Sequence, residues 1–161
     1  MTCYRFSHLL VIDSAIEDKK TLIKGAVSGI EILVLDAKRD GVEQISERLS
    51  ISRNITTIHI VSHGAPGCLY LGNSQLSLST LNHYATQLKS WFTTGDNPPS
   101  FLLYGCNVAA GDAGEQFIAQ LAQLTGANLA ASAQKVGNRA KGGTWQLETW
   151  NLALGDADWR N

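Results

Sequence analysis

The chain has 161 residues and a net charge of -1, with acids and bases mixed along its length. A single domain of that size buries roughly 70% of the surface its unfolded chain would expose, so no disulfide or metal is needed to hold it together. The balanced charge excludes an electrostatic footprint for nucleic acid or an anionic membrane, and no apolar run approaches the ~20 residues of a transmembrane helix.

Short β-branched or leucine-rich runs alternate with amphipathic stretches, the pattern of crossover units and a mostly parallel, doubly covered sheet. The N-terminus runs through His8 straight into a strand-like segment that ends at Asp13, too short and too poorly flanked to be a signal peptide. The expected location is therefore the cytoplasm, or outside the cell without a cleavable N-terminal signal peptide. A first strand spans 8–14 and carries Asp13 near its end, a helix follows over 18–27, and a second strand spans 31–37. Asp40 before Gly41 caps a helix over 41–51. The strand 57–63 delivers His63, and a hairpin over 69–77 turns at Gly72-Asn73.

Leu81, Tyr84, Leu88 and Trp91 recur at helical spacing in a helix over 79–92, and the strand 100–106 ends on Cys106. Phe117, Ile118, Leu121 and Leu124 line the next helix, 112–125, with Asp112 as its N-cap, Glu115 completing a capping box and Gly126 as its stop. A fifth core strand spans 128–133. The stretch 134–143 carries Lys135, Arg139 and Lys141 among small residues and reads as an exposed, mobile loop, before a late strand over 144–150. All five core strands are nearly continuous in apolar character, as strands buried on both faces should be.

His63 and Cys106 stand where two of these strands run out. In an open α/β sheet, reactive groups gather beyond the carboxyl ends of the strands, so an imidazole and a thiol distant in sequence can meet there as base and nucleophile. A thiol with a pKa near 8.5 is only a few per cent thiolate at neutral pH and needs a nearby imidazole or a helix N-terminus. The segment 107–111 leads from Cys106 into a helix, which supplies the second of these. Gly64 has no Cβ, so its N–H can approach a substrate and, with that of Cys106, form an oxyanion hole.

Other polar residues read more simply. His59 is a core histidine, His8 begins a strand and His83 lies on a helix surface. The three cysteines, Cys3, Cys68 and Cys106, are odd in number and show no C-x-x-C pair, so neither a disulfide framework nor a zinc site is suggested. Cys68 is the competing thiol, read as a hairpin-start residue. Asp36 and Asp40 are candidates for the cleft border, although Asp40 before Gly41 reads more simply as a helix cap, while Ser62 and Asn107 flank the dyad and either orient it or satisfy backbone groups. Trp145, Trp150 and Trp159 are read as rim packing. No cofactor is expected, the Gly105 to Gly114 loop is a poor anion nest without G-x-G-x-x-G or Walker patterns, and G-x-S-x-G is absent.

Val11-Ile12-Asp13, Val61-Ser62-His63-Gly64-Ala65-Pro66-Gly67, Leu103-Tyr104-Gly105-Cys106-Asn107-Val108-Ala109, Thr125-Gly126-Ala127 and Gly142-Gly143-Thr144-Trp145 together resemble a bacterial family of caspase-like domains catalogued as domain of unknown function 4347. The order, His-Gly before Gly-Cys, is similar to that of caspase and gingipain-like cysteine peptidases. Tyr104-Gly105 before the thiol departs from the Gln-Ala-Cys-x-Gly signature of caspases.

The resemblance implies one α/β domain over 1–161, a three-layer caspase-like sandwich with a small β-hairpin at its rim. His63 and Cys106 are its catalytic dyad, Gly64 and Cys106 its oxyanion hole. The substrate pocket is expected at Asp13, Ser62, Tyr104 and Asn107, where an acid at position 13 would select Arg or Lys before the scissile bond. Arg139 or Lys141 would then be open to self-processing. The expected partner is a peptide or protein substrate, its own chain included, with no nucleic acid, membrane or metal; the sequence carries no signal for an oligomeric state. The alternative is a catalytically silent caspase-like module for protein docking or for maturation of a secreted partner.

Overall fold

The computed structural model describes residues 8–52, 54–92, 99–137 and 139–150. The readings made of 1–7, of Cys3 and of Trp159 fall outside them. Along the chain run β1 (His8–Ile12), α1 (Lys19–Gly25), β2 (Glu31–Val34), α2 (Gly41–Ile51), β3 (Thr57–Val61), β4 (Gly64–Ala65), β5 (Cys68–Leu71) and β6 (Ser74–Ser77). They are followed by α3 (Leu81–Ser90), β7 (Ser100–Tyr104), α4 (Gly111–Thr125), β8 (Asn128–Ala131), a 3-10 turn Arg139–Lys141 and β9 (Glu148–Trp150).

The main sheet has the order β2-β1-β3-β7-β8-β9. Its first five strands are parallel, and β9 closes the far edge antiparallel to β8. The order reverses about β1, since the chain moves outward to β2 and then returns to β3 on the other side. This is where an α/β sheet opens a crevice at its carboxyl edge.

Alternation along each strand divides the core in two. Leu9, Val11, Ile58, Ile60, Phe101, Leu103 and Leu129 face one side, where they pack with Val42 and Ile45 of α2, Leu81 and Leu88 of α3, and Phe117, Ile118 and Leu121 of α4. Leu10, Ile12, Val61, Leu102, Tyr104 and Ala130 face the other side, covered by Leu22 of α1 together with Ile16, Val136, Trp145 and Leu147.

Several expectations need correction. Four of the five core strands stop two residues sooner than their apolar runs, and β2 stops three sooner, so His63 and Cys106 lie beyond the ladder rather than in it. Apolarity persists there because the exits are themselves covered; Gly105 is buried outside any strand. β2 is an edge strand with no fully buried residue, and Val34 is 42% exposed. The cap of α4 is Ala110 with no side-chain hydrogen bond, which places Asp112 inside the first turn. The arm after β8, exposed at Lys135, Arg139 and Lys141 as expected, also carries hydrogen bonds of its own: Gly137 N–H donates to Thr144 O, Thr144 N–H to Lys135 O (both 3.0 Å), and Lys135 Nζ to Lys141 O at 2.6 Å.

The hairpin of β5 and β6 gains β4 as a third strand, giving a small antiparallel sheet. Its tip is fixed by two acids. Asp13 Oδ1 accepts from Gly72 N–H at 2.7 Å, and Gly72 has φ +62°, with a backbone so close to Arg39 O that no Cβ fits. Asp40 caps α2 through Val42 and Glu43 N–H and also accepts from Ser74 Oγ at 3.1 Å and Tyr84 Oη at 2.6 Å. Partial burial works against its charge, yet the bonds from Tyr84, Glu43 N–H, Ser74 and Val42 N–H hold its carboxyl below the usual value. Burial, then the bond to Asp40, raises the Tyr84 phenol.

Candidate active site

β3 and β7 are neighbours in register, with Val61 opposite Tyr104 and Ser62 N–H donating to Tyr104 O at 3.4 Å. Each chain then runs two residues beyond this last pair, to His63 and to Cys106. There the backbones converge. A Cβ built on Gly64 would lie 2.9 Å from Cys106 O and 3.1 Å from Cys106 N, and one on Gly105 would stand 3.5 Å from Gly64 Cα. Only glycine allows the His63-Gly64 and Gly105-Cys106 dipeptides to pass at this separation.

His63 is exposed, with Nε2 3.3 Å from Ala15 O in the segment after β1. With the proton on Nε2, that carbonyl accepts it and Nδ1 is left as a lone-pair site. Cys106 is half-buried, and its Sγ rests on the arm that follows β8, 3.6 Å from Val136 O and accepting from Val136 N–H at 3.4 Å. Among the described residues no hydrogen bond joins the imidazole to the thiol, and the Cys106 N–H makes no backbone hydrogen bond. Ala110, the cap of α4, is four residues further on, with a turn at 106–109 between.

Both side chains line one cleft of about 660 Å³ on the α1 side of the sheet. Ser62 and Tyr104, two of the expected pocket residues, line it as well. The other two do not. Asp13 is 3% exposed and its carboxylate is taken up by the N–H groups of Gly72 and Ala15. Asn107 points its chain into a left-handed turn (φ 60°) and gives its N–H to Gln134 O at 2.9 Å.

The cleft also holds residues that pattern reading of the chain did not assign to a site: Glu17 and Asp18 from the β1–α1 connection, Leu22 of α1, and Lys135, Arg139, Lys141 and Trp145 from the arm. Their one sequence signal is position, since both segments follow a strand and so emerge at the carboxyl edge. The competing thiol, Cys68, is buried at the start of β5, touches Gln75 Oε1 at 3.9 Å and does not line the cleft; burial pushes its pKa up. His59 is fully buried, bonded through Nε2 to His8 Nδ1 at 2.9 Å and stacked between His8 and Tyr104, as a core histidine should be.

Among the described residues no helix is long and apolar enough to cross a membrane, and no three His, Cys, Asp or Glu side chains are grouped to hold a metal ion. No curated protein matches the chain. A family model does, over residues 9–157, a span that includes the whole cleft with His63 and Cys106. The chain belongs to that family, described as Domain of unknown function (DUF4347).

Proposed function

We propose that the protein is a cysteine endopeptidase built on a caspase-like sheet, with Cys106 as nucleophile and His63 as acid and base. The observation that carries this reading is the glycine-mediated approach of His63-Gly64 to Gly105-Cys106 at the mouth of a shared cleft. In this reading Ala15 O orients the imidazole through Nε2–H, and Nδ1 takes the thiol proton.

The Cys106 sulfur then forms a bond to the substrate carbonyl carbon, and the oxyanion is held by the N–H groups of Cys106 and Gly64. His63 returns the proton to the amine as the C–N bond breaks, leaving a thioester. Water adds with His63 again as base, and the acid product leaves with regeneration of the thiol. The resting contacts of Cys106 with Val136 would give way when a substrate enters, since catalytic hydrogen bonds are often long in free enzymes.

A preference for Arg or Lys requires acids in the cleft, and those present are Glu17 and Asp18, both exposed at its rim. Self-processing at Arg139 or Lys141, in the arm that lines the cleft, belongs to this reading only if such a basic preference holds.

One observation favours the silent docking module: thiol and imidazole each rest on a backbone partner and not on each other. Iodoacetamide labelling at neutral pH and a fluorogenic peptide panel separate the readings. The peptidase reading expects rapid labelling at Cys106 and cleavage that falls by on the order of 10³-fold or more in Cys106→Ala and in His63→Ala. Cleavage that persists in Cys106→Ala overturns it. A thiol that resists labelling, in a protein that cleaves nothing, establishes the module instead.

A further inference from the structure

The cleft is sorted by depth. Ile16, Leu22, Val61, Tyr104, Val136 and Trp145 line it and are all buried or half-buried, so they form its floor. Tyr104 and Trp145 present aromatic surface, their rings 5.9 Å apart, and Leu22 supplies an aliphatic wall from α1. Among the described residues every charged group that lines it is exposed: Glu17 and Asp18 on one bank, Lys135, Arg139 and Lys141 on the other. The ammonium of Lys135 is further tied to Lys141 O. Asp13, which follows β1, is turned to the Gly72 and Ala15 amides and does not line the cleft.

From this arrangement we infer that the cleft takes a large uncharged side chain, of the Phe, Leu or Trp type, from the residue whose carbonyl meets Cys106. The inference rests on the peptidase reading for the position of that residue. A guanidinium or carboxylate carried to the floor would lose its water and meet no opposite charge there. At the rim the two banks of opposite sign are screened by solvent and partly cancel, so they discriminate weakly between charged substrates. A volume of about 660 Å³ admits an aromatic ring with the adjoining peptide backbone.

The test is a set of fluorogenic tetrapeptides identical except for the last residue, Phe, Leu, Ala, Asp or Arg. Phe and Leu should exceed Ala in kcat/KM by at least roughly 10-fold, the low end of what a single methylene supplies in an apolar pocket, and Asp and Arg by more. Leu22→Arg places a cation on the floor and should shift the order toward Asp. Trp145→Ala should depress the Phe peptide most, and near-ultraviolet circular dichroism checks that both variants keep their packing.

A second arm measures binding of the corresponding peptide amides to the Cys106→Ala protein by calorimetry, where no turnover is needed. Cleavage that favours Asp or Arg overturns the pocket inference and leaves the peptidase reading standing. Preferential binding of Phe and Leu without cleavage by the wild-type chain upholds the pocket and removes the peptidase. Equal binding of all five, or none, overturns the pocket.

Discussion

One face of the sheet lies under three helices of 11, 10 and 15 residues, while the other lies under a helix of seven that buries no residue completely, together with an arm folded back from β8. The first face supplies most of the core, with Phe101 and Phe117 among its largest fully buried side chains and Trp91 packed edge-on to Phe101. Among the described residues the second has six buried hydrophobic core residues and half-buried cover. The cleft that holds His63 and Cys106 opens on the thinly covered face. The densely packed core and the cleft that holds His63 and Cys106 thus lie on opposite faces, the division expected if the cleft is a site that needs access.

That contrast can be broken by mutation. Phe117→Ala, at 0% exposure on the inner face of α4, should cost about 3–5 kcal/mol, read as a lower denaturant midpoint in chemical unfolding. Asp13→Ala strips the acceptor from the Gly72 and Ala15 amides and should cost about 1–3 kcal/mol, with faster hydrogen exchange at Gly72. Ile23→Ala on α1, where Ile23 is 38% exposed, should change stability by less than about 0.5 kcal/mol. If Ile23→Ala costs as much as Phe117→Ala, the two faces are not unequal in the manner described.

A smaller effect on the cleft side follows from His8, whose pKa burial lowers from 6.5. The folded state disfavours the imidazolium, so the unfolded state binds the proton more readily. Stability from this group is complete above pH 6.5 and is lost as the pH falls from there through the folded-state value. Asp40 acts in the same direction in a lower window, beginning at its unfolded value of 3.8, because its carboxyl is also held below normal. Unfolding curves measured from pH 8 to pH 4 should decline less for His8→Gln than for the wild type. Identical slopes would exclude His8 as a contributor.

Much of the local structure is legible in the chain itself. The helix over Gly41–Ile51 has the bounds its pattern implies, because Asp40 caps it directly and its apolar face is regular. The parallel strands are recognisable because continuous apolar runs have few other uses at that length. The strand ends were harder to read: hydrophobicity reports burial, while the ladder ends where a neighbour ceases to run alongside. Ser62 and Gly105 remain buried after that point, and Cys106 half-buried, although His63 is exposed. Asp112 has the residue type of a cap, but the turn at 106–109 lets the helix begin one residue earlier.

His63-Gly64 and Gly105-Cys106 could be singled out by residue type alone, since imidazole, thiol and unhindered backbone have recognisable uses at strand ends. Their meeting required the strand order, which sets β3 beside β7 although 38 residues separate the end of one from the start of the other. The same holds for Asp13. A carboxylate at the end of β1 could have faced the cleft or the hairpin, and only the arrival of the Gly72 N–H, 59 positions away, decides it. Local propensity and periodicity are written within one or two helical turns of chain; the partners of a side chain depend on contacts that form only when distant segments pack.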